Sequence, residues 1–412
     1  MKMEIEGRMA AALAAALFAL ALAVPGAEAQ KKYGPGVTDT AIKIGNTNPY
    51  SGPASAYGEI GKADAAYFKM INAEGGINGR KIDFITYDDG YSPPRTVEAT
   101  RRLVESDHVL LIFNGLGTPT QTAVQQYLNE KKVPQLFVAT GATKWGDPKH
   151  HPWTMGFQPN YQSEGRAYAE YILKHAPHAK IGVLYQDDDY GKDYLKGLID
   201  GLGAKGKSMI VSKAPYETTD PTVNSQIVTL KASGANVFVN ITIPKFAAQA
   251  IREAGVIGWK PLHILNSVSN SVGSVLKPAG FAYSKGVVSD FWLKDPTDPT
   301  WKNDKGYKGW VAFMNKYYPS GDKTSVFPVY GYTMAAAMVQ TLKQCGNDLT
   351  RANVMKQAAR LHHLVLPMLL PGISINTSAT DFYPVKQIQM GRFNGKRWVL
   401  FGPVMTEAIR GS

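Results

Sequence analysis

Short apolar runs alternate with amphipathic stretches along most of this chain. Ile42–Asn46 reads as a strand ending in a Gly/Pro/Ser turn, and Tyr57–Ala73 as a helix closed by Gly75 and Gly76. Strand Lys81–Tyr87 ends in Asp88-Asp89-Gly90; helix Pro94–Ser106, strand Val109–Phe113, helix Thr120–Lys131 and strand Gln135–Ala139 follow. The rhythm then restarts. Helix Ser163–His175, strand Lys180–Gln186, helix Tyr190–Leu202 and strand Met209–Ala214 lead to helix Thr222–Ser233, strand Val237–Ile241, helix Phe246–Ala254 and strand Leu262–Leu265. Strands separated by helices of about 10–15 residues imply βαβ units and a parallel sheet. Two such series predict an α/β fold of two Rossmann-like lobes, with the joint near Pro152–Gln158. Asp295–Gly309, polar and rich in charge, Pro and Gly, reads as a surface loop. Tyr330–Gln344 is a strongly apolar helix pattern. Gln387–Arg392 and Arg397–Phe401 flank Asn394-Gly395 as a terminal hairpin.

The N-terminus breaks the rhythm. Lys2 and Arg8 precede an uncharged apolar run, Met9–Val24, and Ala27-Glu28-Ala29 follows as a small-residue cleavage triplet. These are the three parts of a secretory signal peptide over residues 1–29, so the mature chain is expected to begin at Gln30 and to work in the periplasm. At 412 residues, 44% apolar and 19% charged, the chain is long enough for two globular lobes. Cys345 is the only cysteine, which excludes an internal disulfide and leaves stability to burial. The net charge is +12, and removing the two positive and three negative charges of residues 1–29 leaves +13. The basic residues are scattered among acids in runs of no more than two. That pattern is a solvated basic surface rather than a nucleic-acid-binding stripe.

Catalytic and metal motifs are hard to find. Gly201-Leu202-Gly203-Ala204-Lys205-Gly206 fits G-x-G-x-x-G but follows a helix instead of a strand, so it reads as a helix end. His150-His151 and His362-His363 are adjacent pairs whose side chains point apart, and Asp187-Asp188-Asp189 lacks calcium-loop spacing. No nucleophile–base arrangement is legible, so an enzyme, a cofactor and a metal are not expected. Small and hydroxyl residues instead gather where strands end: Ser51-Gly52-Pro53, Leu116-Gly117-Thr118, Thr140-Gly141-Ala142 and Ser267 to Ser269. In open α/β sheets ligands bind beyond the C-terminal ends of strands, and helices starting after such loops favour an anionic group. Tyr57 and Tyr190, near two other helix starts, are candidate aromatic walls.

Several stretches carry a family resemblance. They are Ile42-Lys43-Ile44-Gly45, Ser51-Gly52-Pro53 with Tyr57-Gly58, and Ile71-Asn72-Ala73-Glu74-Gly75-Gly76-Ile77-Asn78-Gly79; Tyr87-Asp88-Asp89, Thr120-Gln121 and Tyr190-Gly191 continue the pattern. The chain resembles the periplasmic leucine/isoleucine/valine-binding proteins of ABC transporters, the type I periplasmic-binding fold. The resemblance implies two lobes joined by a three-strand hinge, here 30–154 with about 290–378, and 155–289 with about 379–412. It implies a monomer that closes on a small-molecule solute and delivers it to permease subunits in the inner membrane. By position it implies ligand contacts at Tyr57, Leu116, Gly117, Thr118, Ala139, Gly141 and Tyr190, with Thr118 and Thr140 as hydroxyl donors and Ala142 one residue from that register. The family's ammonium-pairing acid aligns with Ser267, a neighbouring tyrosine with Ile243, and the family disulfide falls on Tyr91 and Leu116. A buried ammonium without a carboxylate partner costs several kcal/mol. The expected ligand is therefore a small carboxylate, amino acid-like or with an aromatic body, unless Asp or Glu arrives from elsewhere; the alternative is a strict branched-chain amino acid receptor.

Overall fold

Apolar side chains alternating with polar ones at Ile42 and Ile44 set the first strand of a parallel sheet, because each buried residue points to the same face. The computed structural model describes residues 31–406. The signal-peptide reading concerns residues 1–29 and lies outside them. Fourteen described strands form two large sheets and one small one. They are β1 (Lys32–Tyr33), β2 (Ala41–Asn48), β3 (Lys81–Asp88), β4 (Leu111–Phe113), β5 (Gln135–Val138), β6 (Thr154–Gly156) and β7 (Ile181–Gln186), followed by β8 (Ile210–Tyr216), β9 (Val237–Ile241), β10 (Leu262–Leu265), β11 (Val288–Phe291), β12 (Asp348–Leu349), β13 (Ile388–Phe393) and β14 (Trp398–Met405). The first sheet has the order β3-β2-β4-β5-β6 and is parallel throughout. The second has the order β14-β13-β11-β10-β9-β7-β8, with β13 and β14 antiparallel at one end. β1 and β12 pair separately.

The described helices of eight or more residues are α1 (Gly58–Ala73), α2 (Pro93–Arg101), α3 (Thr118–Glu130), α4 (Tyr161–His175) and α5 (Asp189–Leu202), then α6 (Asn224–Ala232), α7 (Pro244–Val256), α8 (Lys305–Tyr317), α9 (Phe327–Cys345) and α10 (Arg351–Ala358). α9, with sixteen of nineteen residues buried, packs along α1, and α8 joins them. Residues 305–358 thus return to the first sheet after the strands up to β11 have built most of the second. The chain passes between the sheets at 157–160, after β11, and before β13. The fold is α/β with two parallel-sheet lobes. A lobe boundary at 290 cuts β11, whose four residues pair within the second sheet from Val288 to Phe291.

The two rhythms and the terminal hairpin are present, with Phe393 opposite Trp398 flanking the turn. Asp295–Gly309 is not simply a loop. Asp304 accepts a hydrogen bond from the Tyr307 amide at 2.8 Å and starts α8, and a short 3-10 turn over Pro299–Asn303 precedes it. Helix Pro94–Ser106 divides into α2 and a wider turn over Arg102–Ser106. The Asp triplet is an anchored helix start: Asp188 Oδ1 accepts from the amides of Tyr190 (2.9 Å) and Gly191 (3.4 Å). The G-x-G-x-x-G stretch is the end of α5, with Gly203 at φ 60°. No described helix is long and apolar enough to cross a membrane, and no described cluster of His, Cys, Asp and Glu could hold a metal ion. Cys345 is buried, donates to the Thr341 carbonyl at 3.3 Å, and burial pushes its thiol up to about 12.

Candidate functional site

Parallel strands aim all their C-terminal ends one way, so two facing lobes bring two sets of strand-end loops together. A partly enclosed cavity of about 70 Å³ lies there. From the first sheet come Leu116, Gly117 and Thr118 after β4, Ala139 after β5, and Tyr57 ahead of α1. From the second come Tyr190 after β7, Ile243 after β9 and Ser267 after β10.

Gly117 explains the approach on the first wall. It sits at φ 101° as the residue before α3, and a side chain there would meet the Tyr91 ring at 2.5 Å. Only glycine takes this backbone without strain. The amide end of the thirteen-residue α3 therefore opens at the cavity beside Thr118. The Thr118 hydroxyl bonds to the Thr140 hydroxyl at 2.5 Å. Thr140, Gly141 and Ala142 do not line the cavity. Thr140 spends its hydroxyl on Thr118, Gly141 is backed by the Pro159 carbonyl and the Tyr161 ring, and Ala142 leads into a 3-10 turn. Their role is to hold the wall from behind.

Aromatic rings form most of the remainder. Tyr57 meets Phe327 edge-on at 5.0 Å, Tyr161 meets Tyr190 at 5.4 Å, and Trp292 meets Tyr330 at 5.5 Å. Tyr57 reaches across the gap to donate to the Val268 carbonyl at 3.0 Å. Burial pushes the hydroxyls of Tyr57, Tyr91, Tyr190 and Tyr330 well above their ordinary range, so they stay protonated. Tyr190 accepts a short hydrogen bond from Asn266.

Sequence reasoning missed Tyr91, Gln158, Asp290, Trp292 and Tyr330, all on the cavity wall. Gln158 and Trp292 lie in the passages between lobes, Tyr330 in the first turn of α9, Asp290 inside β11, and Tyr91 in the loop after β3, just past the Asp88-Asp89-Gly90 turn. Tyr91 occupies the family's disulfide position and carries φ 63°. Asp290 puts a carboxyl on the cavity wall, where Ser267 puts a hydroxyl. Behind it stands Glu164 of α4, and burial pushes Asp290 up to about 6 and Glu164 well above the carboxylate range, the nearby Asp290 charge adding to the latter.

The lobes touch around the cavity. Asp193 Oδ2 on α5 accepts from the Thr143 amide (2.7 Å) and hydroxyl (2.9 Å), and Lys144 pairs with Asp189 at 2.6 Å. On the other side Gly273 donates to the Thr324 carbonyl at 2.9 Å, and the Ser271 and Ser274 hydroxyls reach Ser325. The arrangement can enclose and desolvate a small molecule. It offers hydroxyls, a helix amide end and one carboxyl pair.

Known proteins share this architecture. The family model described as periplasmic binding protein matches residues 41–397. A Leu/Ile/Val-binding protein homolog 1 of Brucella suis is 25% identical over 314 residues, covering 74% of this chain and 79% of that protein. A branched chain amino acid ABC transporter protein from Thermus thermophilus, solved with bound valine, superimposes with a TM-score of 0.81 at 16% identity, over 90% of this chain and 98% of its own. A fatty acid ABC transporter substrate-binding protein from Thermomonospora curvata gives 0.77 at 22% identity, over 93% and 97%. These relatives are binding proteins rather than enzymes. With the family pattern spanning all but the ends of the chain and a two-lobed cleft in its expected place, the chain belongs to the periplasmic binding protein family.

Proposed function

We propose that this protein is the solute-capturing component of an ABC transporter, working in the periplasm. It closes its lobes on a small carboxylate and hands it to permease subunits in the inner membrane. One observation carries the reading: a partly enclosed cavity between the strand ends presents the amide end of α3 with Thr118 on one wall and aromatic rings on most others. Unsatisfied amides at a helix start, together with a hydroxyl, suit a carboxylate, and the rings suit an apolar or aromatic body. The lobes that close are the one built on the first sheet with α8, α9 and α10, and the one built on the second sheet, with boundaries that fall after β6, after β11 and before β13.

A second reading, a strict branched-chain amino acid receptor, draws support from Asp290. This carboxyl borders the cavity and supplies an acidic partner that Ser267 does not. Thermal-shift screening separates the two, since a ligand that binds only the folded form raises the melting temperature with its concentration. Stabilisation by aromatic acids and not by leucine supports the first; stabilisation by leucine, isoleucine and valine alone supports the second. Mass spectrometry of solute released from the purified protein names the compound. Turnover of any stabilising compound would overturn both.

A further inference from the structure

Glu164 and Asp290 are both fully buried, one on α4 and one on β11. Tyrosines satisfy one oxygen of each. Tyr168 donates to Asp290 Oδ1 at 2.5 Å, and Tyr194 donates to Glu164 Oε2 at 2.5 Å, with Tyr168 3.2 Å from that same oxygen. The remaining oxygens, Glu164 Oε1 and Asp290 Oδ2, receive no amide or hydroxyl proton in ordinary geometry. The Ser267 hydroxyl lies beside Glu164 but outside that geometry. The Tyr168 hydroxyl bridges the two carboxyl groups, 2.5 Å from Asp290 Oδ1 and 3.2 Å from Glu164 Oε2. Two carboxylates gathered on one hydroxyl out of reach of water repel each other, and a proton held by one of them removes that repulsion. No described lysine or arginine forms an ion pair with either residue. The titratable groups that face the pair are Tyr168 on α4 and Tyr194 on α5, with Tyr161 next to Tyr194.

We propose that Glu164 and Asp290 hold a single proton between them and present one fixed negative charge on the second-lobe wall, making the pair a specificity-determining element that excludes a second anionic group from the bound solute. The inference rests on the carboxylate reading of the cleft. Glu164 carries the proton, and Asp290, the member that borders the cavity, carries the charge. A solute carboxylate then belongs at the amide end of α3, and the solute's other end must be neutral or cationic. A dicarboxylate would bring like charges together between the closed lobes, where screening is weaker than in water.

Two measurements test this separately. Infrared spectra of the ligand-free protein near about pH 7 should contain the C=O stretch of a buried protonated carboxyl. That band should shift in heavy water and vanish in Glu164→Gln, with circular dichroism reporting the fold. A wild-type protein lacking the band overturns the shared proton, whether or not the variant folds. Thermal shift then compares benzoate with terephthalate and L-leucine with L-glutamate. Whichever monocarboxylate binds should outbind its dicarboxylate partner by about tenfold or more, equivalent to about 1.4 kcal/mol, and Asp290→Asn should narrow that gap. Equal response to both members of a pair, or a gap unchanged in Asp290→Asn, overturns the exclusion. A protein stabilised by none of the four overturns the carboxylate reading instead, while the infrared band still decides the shared proton.

Discussion

Tyr190 illustrates how one side chain serves both site and scaffold. Its ring stands on the cavity wall against Tyr161, and its hydroxyl takes a hydrogen bond from Asn266. Tyr190→Ala is expected to weaken solute affinity at least tenfold, by about 1.4–3 kcal/mol, while far-ultraviolet circular dichroism stays unchanged. Tyr190→Phe keeps the ring and should lose less; calorimetry on both variants checks the order. His263 makes a different prediction. Burial pushes its imidazole down to about 3, well below the ordinary histidine range, so the unfolded chain binds the proton more readily. Stability from this residue is full above about pH 6.5 and falls as the pH drops toward 3. Asp89 and Asp295 run the other way: burial raises each to about 6, so their folded forms hold protons that the unfolded chain has released, and their contribution declines as pH rises through that range. His263→Gln should therefore flatten the acid side of the stability profile, measured by urea unfolding at fixed pH steps. Tyr57, Gly117, Thr118 and Ser267 were legible as wall residues because each follows or introduces a strand-end turn. Asp290 was not, because a single acid inside the apolar run Val287–Leu293 carries no local sign of the glutamate that faces it.

At the scale of elements, the carboxyl pair depends on how closely α4 and α5 pack. Gly197 permits that approach: a Cβ there would lie 2.2 Å from the Gln162 carbonyl oxygen. Backbone cannot yield as a flexible side-chain end can. Gly197→Ala should therefore separate the helices, lengthen the Tyr194–Glu164 bond and destabilise the protein by about 1–3 kcal/mol, read as a lower midpoint in chemical denaturation. The βαβ elements were legible from the sequence because their apolar positions keep a clear period. β6, β11 and α10 escaped for lack of one. β6 has three residues, β11 carries Ser289 and Asp290 in a fully buried strand, and α10 is only eight residues long. Composition misread α8 as loop, since the charges that suggest a loop at Asp304 and Lys305 here cap and begin a helix.

For the whole molecule, closure is a balance between lobe–lobe contacts and solute. Thr143 and Lys144 join the first lobe to Asp193 and Asp189 of the second. These contacts favour the closed form even before a solute adds its own. Asp193→Ala removes the oxygen that accepts both Thr143 bonds at that rim and should shift the balance toward opening. Affinity is expected to fall about threefold to tenfold through the reduced closed fraction, with a larger radius of gyration for the unliganded variant in small-angle scattering. Solute should restore compaction in both proteins. A rim that proved irrelevant to closure would leave both quantities unchanged.

The return of α8, α9 and α10 to the first sheet also governs the order in which the molecule can be finished. A ribosome delivers β2 to β6 early, yet the nineteen-residue helix that covers α1 arrives some 170 positions after β6 ends at Gly156, at Phe327. Until then one flank of the early sheet has no cover, and a nascent chain halted before Phe327 should be sticky and protease-sensitive whatever the state of its later half. Neither half can therefore be cut out as a contiguous stretch and expected to stand alone.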